Sequence, residues 1–135
     1  MRFMIIRKAD SETEAGAEPS EELITAMLAY NQQMIDAGVM LEGAGLKKSA
    51  RGARVSFSNG KPTVIDGPFT ETKELVAGYS IIEVKSKDEA IEWVKRWPPL
   101  DGHGNVQLEI RELFSAADFG EQAEAQFKDL ESRVK

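Results

Sequence analysis

The chain has no cysteine and one histidine among its 135 residues. The first absence excludes disulfides, a thiolate metal site and a thiol nucleophile. The second leaves no His-x-x-x-His or carboxylate-plus-histidine spacing for a metal, and pairs no histidine with a serine nucleophile. Basic runs are equally scarce. Nothing exceeds Lys47-Lys48, and a net charge of −6 with a pI near 4.9 argues against nucleic acid or an anionic membrane as partner. No stretch approaches the ~20 apolar residues of a membrane span. The apolar run at the N-terminus stops at Arg7, too short for a signal sequence, so the cytoplasm is the expected compartment. Gly43-x-Gly45 lacks the third glycine and the helix of a dinucleotide fingerprint. No cofactor and no metal are expected.

What remains is an ordinary globular composition, 41% hydrophobic and 30% charged, sized for one domain over residues 1–135. Phe3 to Ile6 reads as a buried strand, and the acidic, small residues Asp10 to Pro19 as a solvated loop. Ser20 is an N-cap, with Glu21 and Glu22 where the helix dipole favours carboxylates. Leu23, Ile24, Met27, Leu28, Met34 and Ile35 recur at helical spacing, and Gly38 supplies the left-handed residue that ends the helix. Met40-Leu41 opens an uneven strand whose Gly43 and Gly45 suggest a bulge. Val55-Ser56-Phe57 and Thr63-Val64-Ile65 flank Asn59-Gly60, the strongest short hairpin signal. Pro62 confines its strand to an edge.

Leu75 to Val84 is a long strand. Ser86 and Glu89 form a capping box for a helix that presents Ala90, Ile91, Val94 and Trp97 inward and stops at Pro98-Pro99. Asp101 to Asn105 reads as a flexible loop. Val106 to Phe114 alternates, with Val106, Leu108 and Ile110 against Gln107, Glu109 and Arg111. A C-terminal helix over about 116–134 carries Phe119, Phe127 and Leu130 at helical steps and is expected to dock by them.

With the hairpin set aside as an insertion, the order is βαββαβ plus a terminal helix, over a core of residues 1–114. That is the α+β, ferredoxin-like arrangement, two helices on one face of a four-stranded antiparallel sheet. The other face would hold Tyr79 and Ile81 beside Glu109 and Arg111. A mixed patch of that kind meets a partner, so two sheets face to face would give a homodimeric α+β barrel.

Between the hairpin and the long strand lies Asp66-Gly67-Pro68-Phe69-Thr70-Glu71-Thr72-Lys73-Glu74, a Gly-Pro loop with three carboxylates and a lysine. Loops held between strands carry binding groups disproportionately often. Together with Met1-Arg2-Phe3-Met4, Tyr30-Asn31, Ala37-Gly38-Val39, Gly52-Ala53-Arg54-Val55, Ala90-Ile91-Glu92-Trp93 and Ile110-Arg111, this loop makes the chain resemble the DGPF-motif branch of the YCII-related proteins over about residues 1–120. The resemblance implies a ferredoxin-like dimeric α+β barrel in a bacterial cytoplasmic protein, and names no reaction. It also implies a neighbourhood with alternative sigma factors, and a cleft with a His-Asp pair in the YCII relatives. Two departures weigh against that pair: Lys47 stands where members often carry histidine, and the first helix has none.

The candidate catalytic groups are Asp66 and Glu71 as general acid and base. For Asp66 the competing role is an Asx-type turn accepting N–H groups near Pro68. Glu42, Lys73, Arg111 and Tyr30 are candidate ligand-binding groups. Their competing roles are solvation, ion pairing with Glu109 for Arg111, and amphipathic packing for Tyr30. His103, flanked by glycines, reads as a solvated loop residue. The functional expectation is a small polar molecule bound near the 66–74 loop, with isomerase- or lyase-like acid–base chemistry. The alternative is a non-catalytic accessory or regulatory protein, linked through the resemblance to a sigma factor.

Overall fold

A computed structural model describes residues 1–134. Its first strand, β1 (Arg2–Lys8), buries alternate residues, so Phe3, Ile5 and Arg7 share one face. A short helix α1 (Ser11–Glu14) follows, capped by Asp10, whose carboxylate accepts from the Thr13 N–H while the Thr13 hydroxyl oxygen accepts from the Asp10 N–H. The expected solvated loop over 10–19 therefore contains, at Ser11–Glu14, one helical turn closed by a reciprocal cap.

Helix α2 (Glu21–Asp36) starts at Ser20, whose hydroxyl accepts from the Leu23 N–H. It ends as its glycine requires: Gly38 has φ +73°, its N–H donates to the Ile35 carbonyl, and that of Val39 to Met34. The helix is turned from its expected face. Tyr30 and Met34 are buried, whereas Ile24, Leu28 and Ile35 are exposed.

Strand β2 (Met40–Gly45) bears the anticipated irregularity, with a register shift between Met40 and Glu42. The hairpin β3 (Ala53–Ser58) and β4 (Lys61–Asp66) turns at Asn59 and Gly60, φ +51° and +78°, as a type I′ turn needs. Strand β5 (Val76–Glu83) leads to α3 (Lys87–Val94), capped by the Ser86 hydroxyl, while Glu89 accepts from the Lys85 N–H. Strand β6 (Leu108–Glu112) completes the sheet.

The sheet order is β2-β5-β1-β6, antiparallel throughout, which is the ferredoxin-like α+β topology. Phe3, Ile5, Tyr30, Met34, Val39, Ile82, Val84 and Ala90 form the core on the side of α2 and α3. The register places Glu42, Ile81, Met4 and Arg111 in one row on the opposite face, and Ala44, Tyr79, Ile6 and Glu109 in the next.

Two further expectations are corrected. The 101–105 segment is no flexible loop, because Asp101 is buried and anchored. The C-terminal helix α4 (Glu121–Arg133) packs on the 116–119 turn through a run of rings, Phe114–Phe119–Phe127, at 5.0 Å centroid spacings. Phe127 remains 39% exposed and Leu130 half exposed, so their apolar faces are only partly covered within one chain. No helix among the described residues is long and apolar enough to cross a membrane.

Candidate functional site

Arg7 ends β1 on the buried face because it follows Phe3 and Ile5 at strand period. A buried guanidinium needs partners, and it has them. Nε and one terminal nitrogen grip Asp101 at 3.1 and 2.8 Å, and the other terminal nitrogen donates to Asp10 at 3.0 Å and to the Lys8 carbonyl at 2.8 Å. Trp97 Nε1 donates to Asp101 at 2.8 Å. Burial by itself would push both carboxyls up. The hydrogen bonds from Arg7, with Trp97 on Asp101 and Thr13 on Asp10, outweigh it and hold both below the ordinary carboxylate value.

This cluster organises one end of a cleft of about 1130 Å³. Leu23 and Met27 of α2 line one wall, the 10–20 segment and the 101–103 turn another, and Gly43, Gly45, Gly78 and Ser80 the sheet side. Gly45 leaves open space where a side chain would stand, whereas a β-carbon at Gly43 would meet Met40 Cε at 2.9 Å and one at Gly78 the Ala44 carbonyl oxygen at 3.1 Å. Ser80 is 7% exposed, and its hydroxyl has no hydrogen-bond partner among the described residues. An unpartnered buried hydroxyl costs about 1–3 kcal/mol.

At the mouth, His103 Nε2 lies 3.1 Å from both carboxylate oxygens of Glu12. The Arg7 cluster sets both partners: Asp10 caps the helix carrying Glu12, and Asp101 opens the turn carrying His103. His103 has φ +56°, between Gly102 at +57° and Gly104 at +82°. A β-carbon at Gly102 would lie 2.6 Å from Val106 Cγ1, so glycine is required there.

Across the cleft, the 47–52 segment brings Lys47, Lys48 and Arg51 to the lining. Ser49 fastens this segment on two sides. Its N–H and hydroxyl both donate to the Glu14 carboxylate, and its hydroxyl oxygen accepts from the Phe69 N–H at 3.0 Å. The Gly67 N–H donates to the Gly52 carbonyl, and a β-carbon at Gly67 would fall 1.8 Å from the Ser49 carbonyl oxygen. Arg54 lies over the Phe69 ring at 3.9 Å and pairs with Glu71 at 3.4 Å. The Gly-Pro-Phe loop thus braces the basic side of the cleft.

The sequence-derived candidates fall elsewhere. Asp66 and Lys73 are exposed, with no side-chain hydrogen bond or ion pair among the described residues, and Glu71 is the exposed partner of Arg54. The Asx-type bond considered for Asp66 is not formed. Glu42 and Arg111 lie on the sheet face away from α2 and α3. There Glu42 accepts from the Tyr79 hydroxyl at 3.3 Å, its negative charge holding that phenol above its usual value, and Arg111 pairs with Glu109 at 3.3 Å. Tyr30 is buried, its hydroxyl donating to the Trp93 carbonyl at 2.7 Å, and burial pushes it up to about 12. None of the six lines the cleft. The groups that do, Arg7, Asp101 and Ser80, were missed, although the strand period already placed Arg7 beside Phe3 and Ile5.

Residues 1–113 match the YCII-related domain. An uncharacterised protein of Rhizobium meliloti (strain 1021) is 32% identical over 78 residues, 58% of this chain and 63% of that protein. The match thus spans less than two thirds of the relative's length. A solved structure, the 5-chloro-2-hydroxyhydroquinone dehydrochlorinase TftG from Burkholderia phenoliruptrix AC1100 in complex with 2,5-dihydroxybenzoquinone, is 18% identical. It covers 90% of this chain and 100% of its own, with a TM-score of 0.48.

Proposed function

We propose, from the premise that this chain belongs to the YCII-related family, that it binds a small polar molecule in the cleft between α2, the β2–β5 edge and the 101–103 turn. The observation that carries this reading is the Ser80 hydroxyl, buried without a partner on the glycine-lined side of a volume suited to a metabolite. Folded proteins pair their buried polar groups, and an exception calls for a water, an ion, a bound molecule or strain to account for it. The cleft also supplies the acid–base element that the 66–74 loop was expected to hold. The His103–Glu12 pair can move a proton at the cleft mouth, which suits isomerase- or lyase-like chemistry. Asp10 and Asp101 are poor bases there, because each is already hydrogen-bonded through both oxygens. The site belongs to a cytoplasmic homodimer in this reading, with the Tyr79–Ile81 face against its copy.

Amide perturbation in NMR spectra tests the proposal. A binding metabolite should shift Gly45, Gly78 and Ser80 and leave Asp66 and Lys73 still. Ser80→Ala should abolish or weaken that response while folding as stably as the parent, or more so by ~1–3 kcal/mol, because it deletes an unpaired hydroxyl. Shifts confined to Asp66 and Glu71 would return the site to the loop.

A second reading, a non-catalytic accessory protein, is favoured by the hairpin. Its register puts Val55, Phe57, Pro62 and Val64 on one face, and Phe57 is 71% exposed. An isolated two-stranded ribbon is marginal in water, so a protein partner, such as the sigma factor implied by the resemblance, would dock along that face.

A further inference from the structure

The cleft is lined by charges of both signs, and their pairing is unequal. Its carboxylates are Asp10, Glu12, Glu18 and Asp101. Asp10 and Asp101 are held by Arg7, and Glu12 by His103. Only Glu18 makes no side-chain hydrogen bond or ion pair among the described residues. Of the cations, Lys47, Lys48 and Arg51 all line the cleft, and none makes an ion pair or a side-chain hydrogen bond among the described residues. In a chain of net charge −6, three unpaired cations gathered on one wall stand against the overall sign.

The wall that carries them is also built. Ser49 ties it to Glu14 and to Phe69, and Gly67 lets the neighbouring loop approach within contact of the Ser49 backbone. The stem of Lys48 runs against Gly16, where a β-carbon would meet Cδ at 3.0 Å. Exposed lysines alone would be ordinary solvation. What distinguishes this wall is a second group in the same cleft lining that needs a partner, the Ser80 hydroxyl, closed off from the cleft as it stands and a donor that a rotation about its Cα–Cβ bond would turn toward an oxyanion.

We propose that the ligand of this cleft is a small oxyanion, a carboxylate or phosphate metabolite, held electrostatically by Lys47, Lys48 and Arg51 and hydrogen-bonded by Ser80. The inference rests on the cleft being the binding site and adds the class of molecule it takes. Arg51 offers a planar fork that can bind two oxygens at once, and the two lysines contribute mobile point charges. Attraction to such a rim weakens as salt shortens the screening length.

The experiment compares inorganic phosphate, succinate and the neutral isostere succinamide, each titrated into the full chain and followed by the amides of Gly45, Gly78 and Ser80. Phosphate and succinate should both saturate these shifts at millimolar concentration, the tighter of the two identifying the anion group. Succinamide should not. A Lys47→Ala/Lys48→Ala/Arg51→Ala variant should bind at least ~10-fold more weakly, the loss expected from removing charge-assisted contacts, and Ser80→Ala should weaken binding without altering its salt dependence. Equal binding of succinamide, silence toward both anions, or an unchanged affinity in the triple variant would overturn the anion assignment. A neutral metabolite from a library seated over Ser80 would leave the cleft reading intact while the anion class falls. A cleft that responds to nothing in the library would remove both.

Discussion

Arg7 and Asp101 lie 94 positions apart and meet in a two-pronged, buried ion pair, with contacts of 3.1 and 2.8 Å. The pair joins the end of β1 to the turn that follows Pro98-Pro99, and through Asp10 it also holds the cap of α1. Three segments that form one end of the cleft therefore depend on one guanidinium. Asp101→Ala would leave that guanidinium buried with half its partners, so a loss of about 3–5 kcal/mol is expected. The midpoint of urea unfolding measures it. A shift within experimental scatter would show that the cluster does not organise the cleft end.

The same cluster sets an acid limit. Asp10 and Asp101 titrate below the ordinary carboxylate value in the folded chain. A depressed folded value means that the unfolded chain binds the extra proton first, so the stabilisation is complete above the unfolded pKa of about 3.9 and is lost as pH falls through the folded value. Stability should hold from neutrality down to about pH 5 and decline below it. Asp101→Asn, already weakened, should decline less steeply. Parallel acid profiles for the two proteins would contradict the assignment.

Gly67 and Asp66 are adjacent and should behave oppositely. A β-carbon at Gly67 would overlap the Ser49 carbonyl oxygen. Gly67→Ala should therefore destabilise by ~1–3 kcal/mol, as overpacking does, and should also disturb the basic wall beyond it. Asp66→Asn and Asp66→Ala remove an exposed carboxylate with no partner among the described residues and should stay within about ±0.5 kcal/mol. Thermal midpoints of the three variants decide this, and a larger loss at Asp66 than at Gly67 would reverse it.

These contrasts mark how far the sequence could be read. The ferredoxin-like order was legible because each element has its own local signal: the Ser20 and Ser86 caps, Gly38, Asn59-Gly60, and the alternation of β6. The prominence of the Gly-Pro-Phe loop was legible too, but its packing against the Ser49 segment was not. A run of charged residues draws notice to side chains, whereas the loop's contribution comes from an absent one, at Gly67. The cleft was hidden because its members are far apart in sequence and individually bland. Arg7 looked like the charge that closes a strand, Asp101 like loop polarity, and Ser80 like one small residue in a β-run. The pairing of β1 with β5 sets Arg7 and Ser80 on one side of the sheet, and the Arg7 guanidinium brings Asp101 to them.

The homodimer remains a prediction from the face opposite the cleft. Met4, Ile6, Tyr79 and Ile81 form adjoining apolar pairs there, edged by Glu42 and by Arg111 with Glu109. Light scattering at micromolar concentration should give about twice the 14.9 kDa chain mass. Tyr79→Glu should shift it toward one. A parent protein that is monomeric throughout that range would leave this sheet face to water.

The most direct test of the account is a crystal structure of the full chain soaked in a mixture of small carboxylate and phosphate metabolites. Ligand density is expected in the cleft, beside Ser80 and the Lys47–Arg51 wall. Density beside Asp66 and Glu71 with the cleft holding only solvent would contradict it.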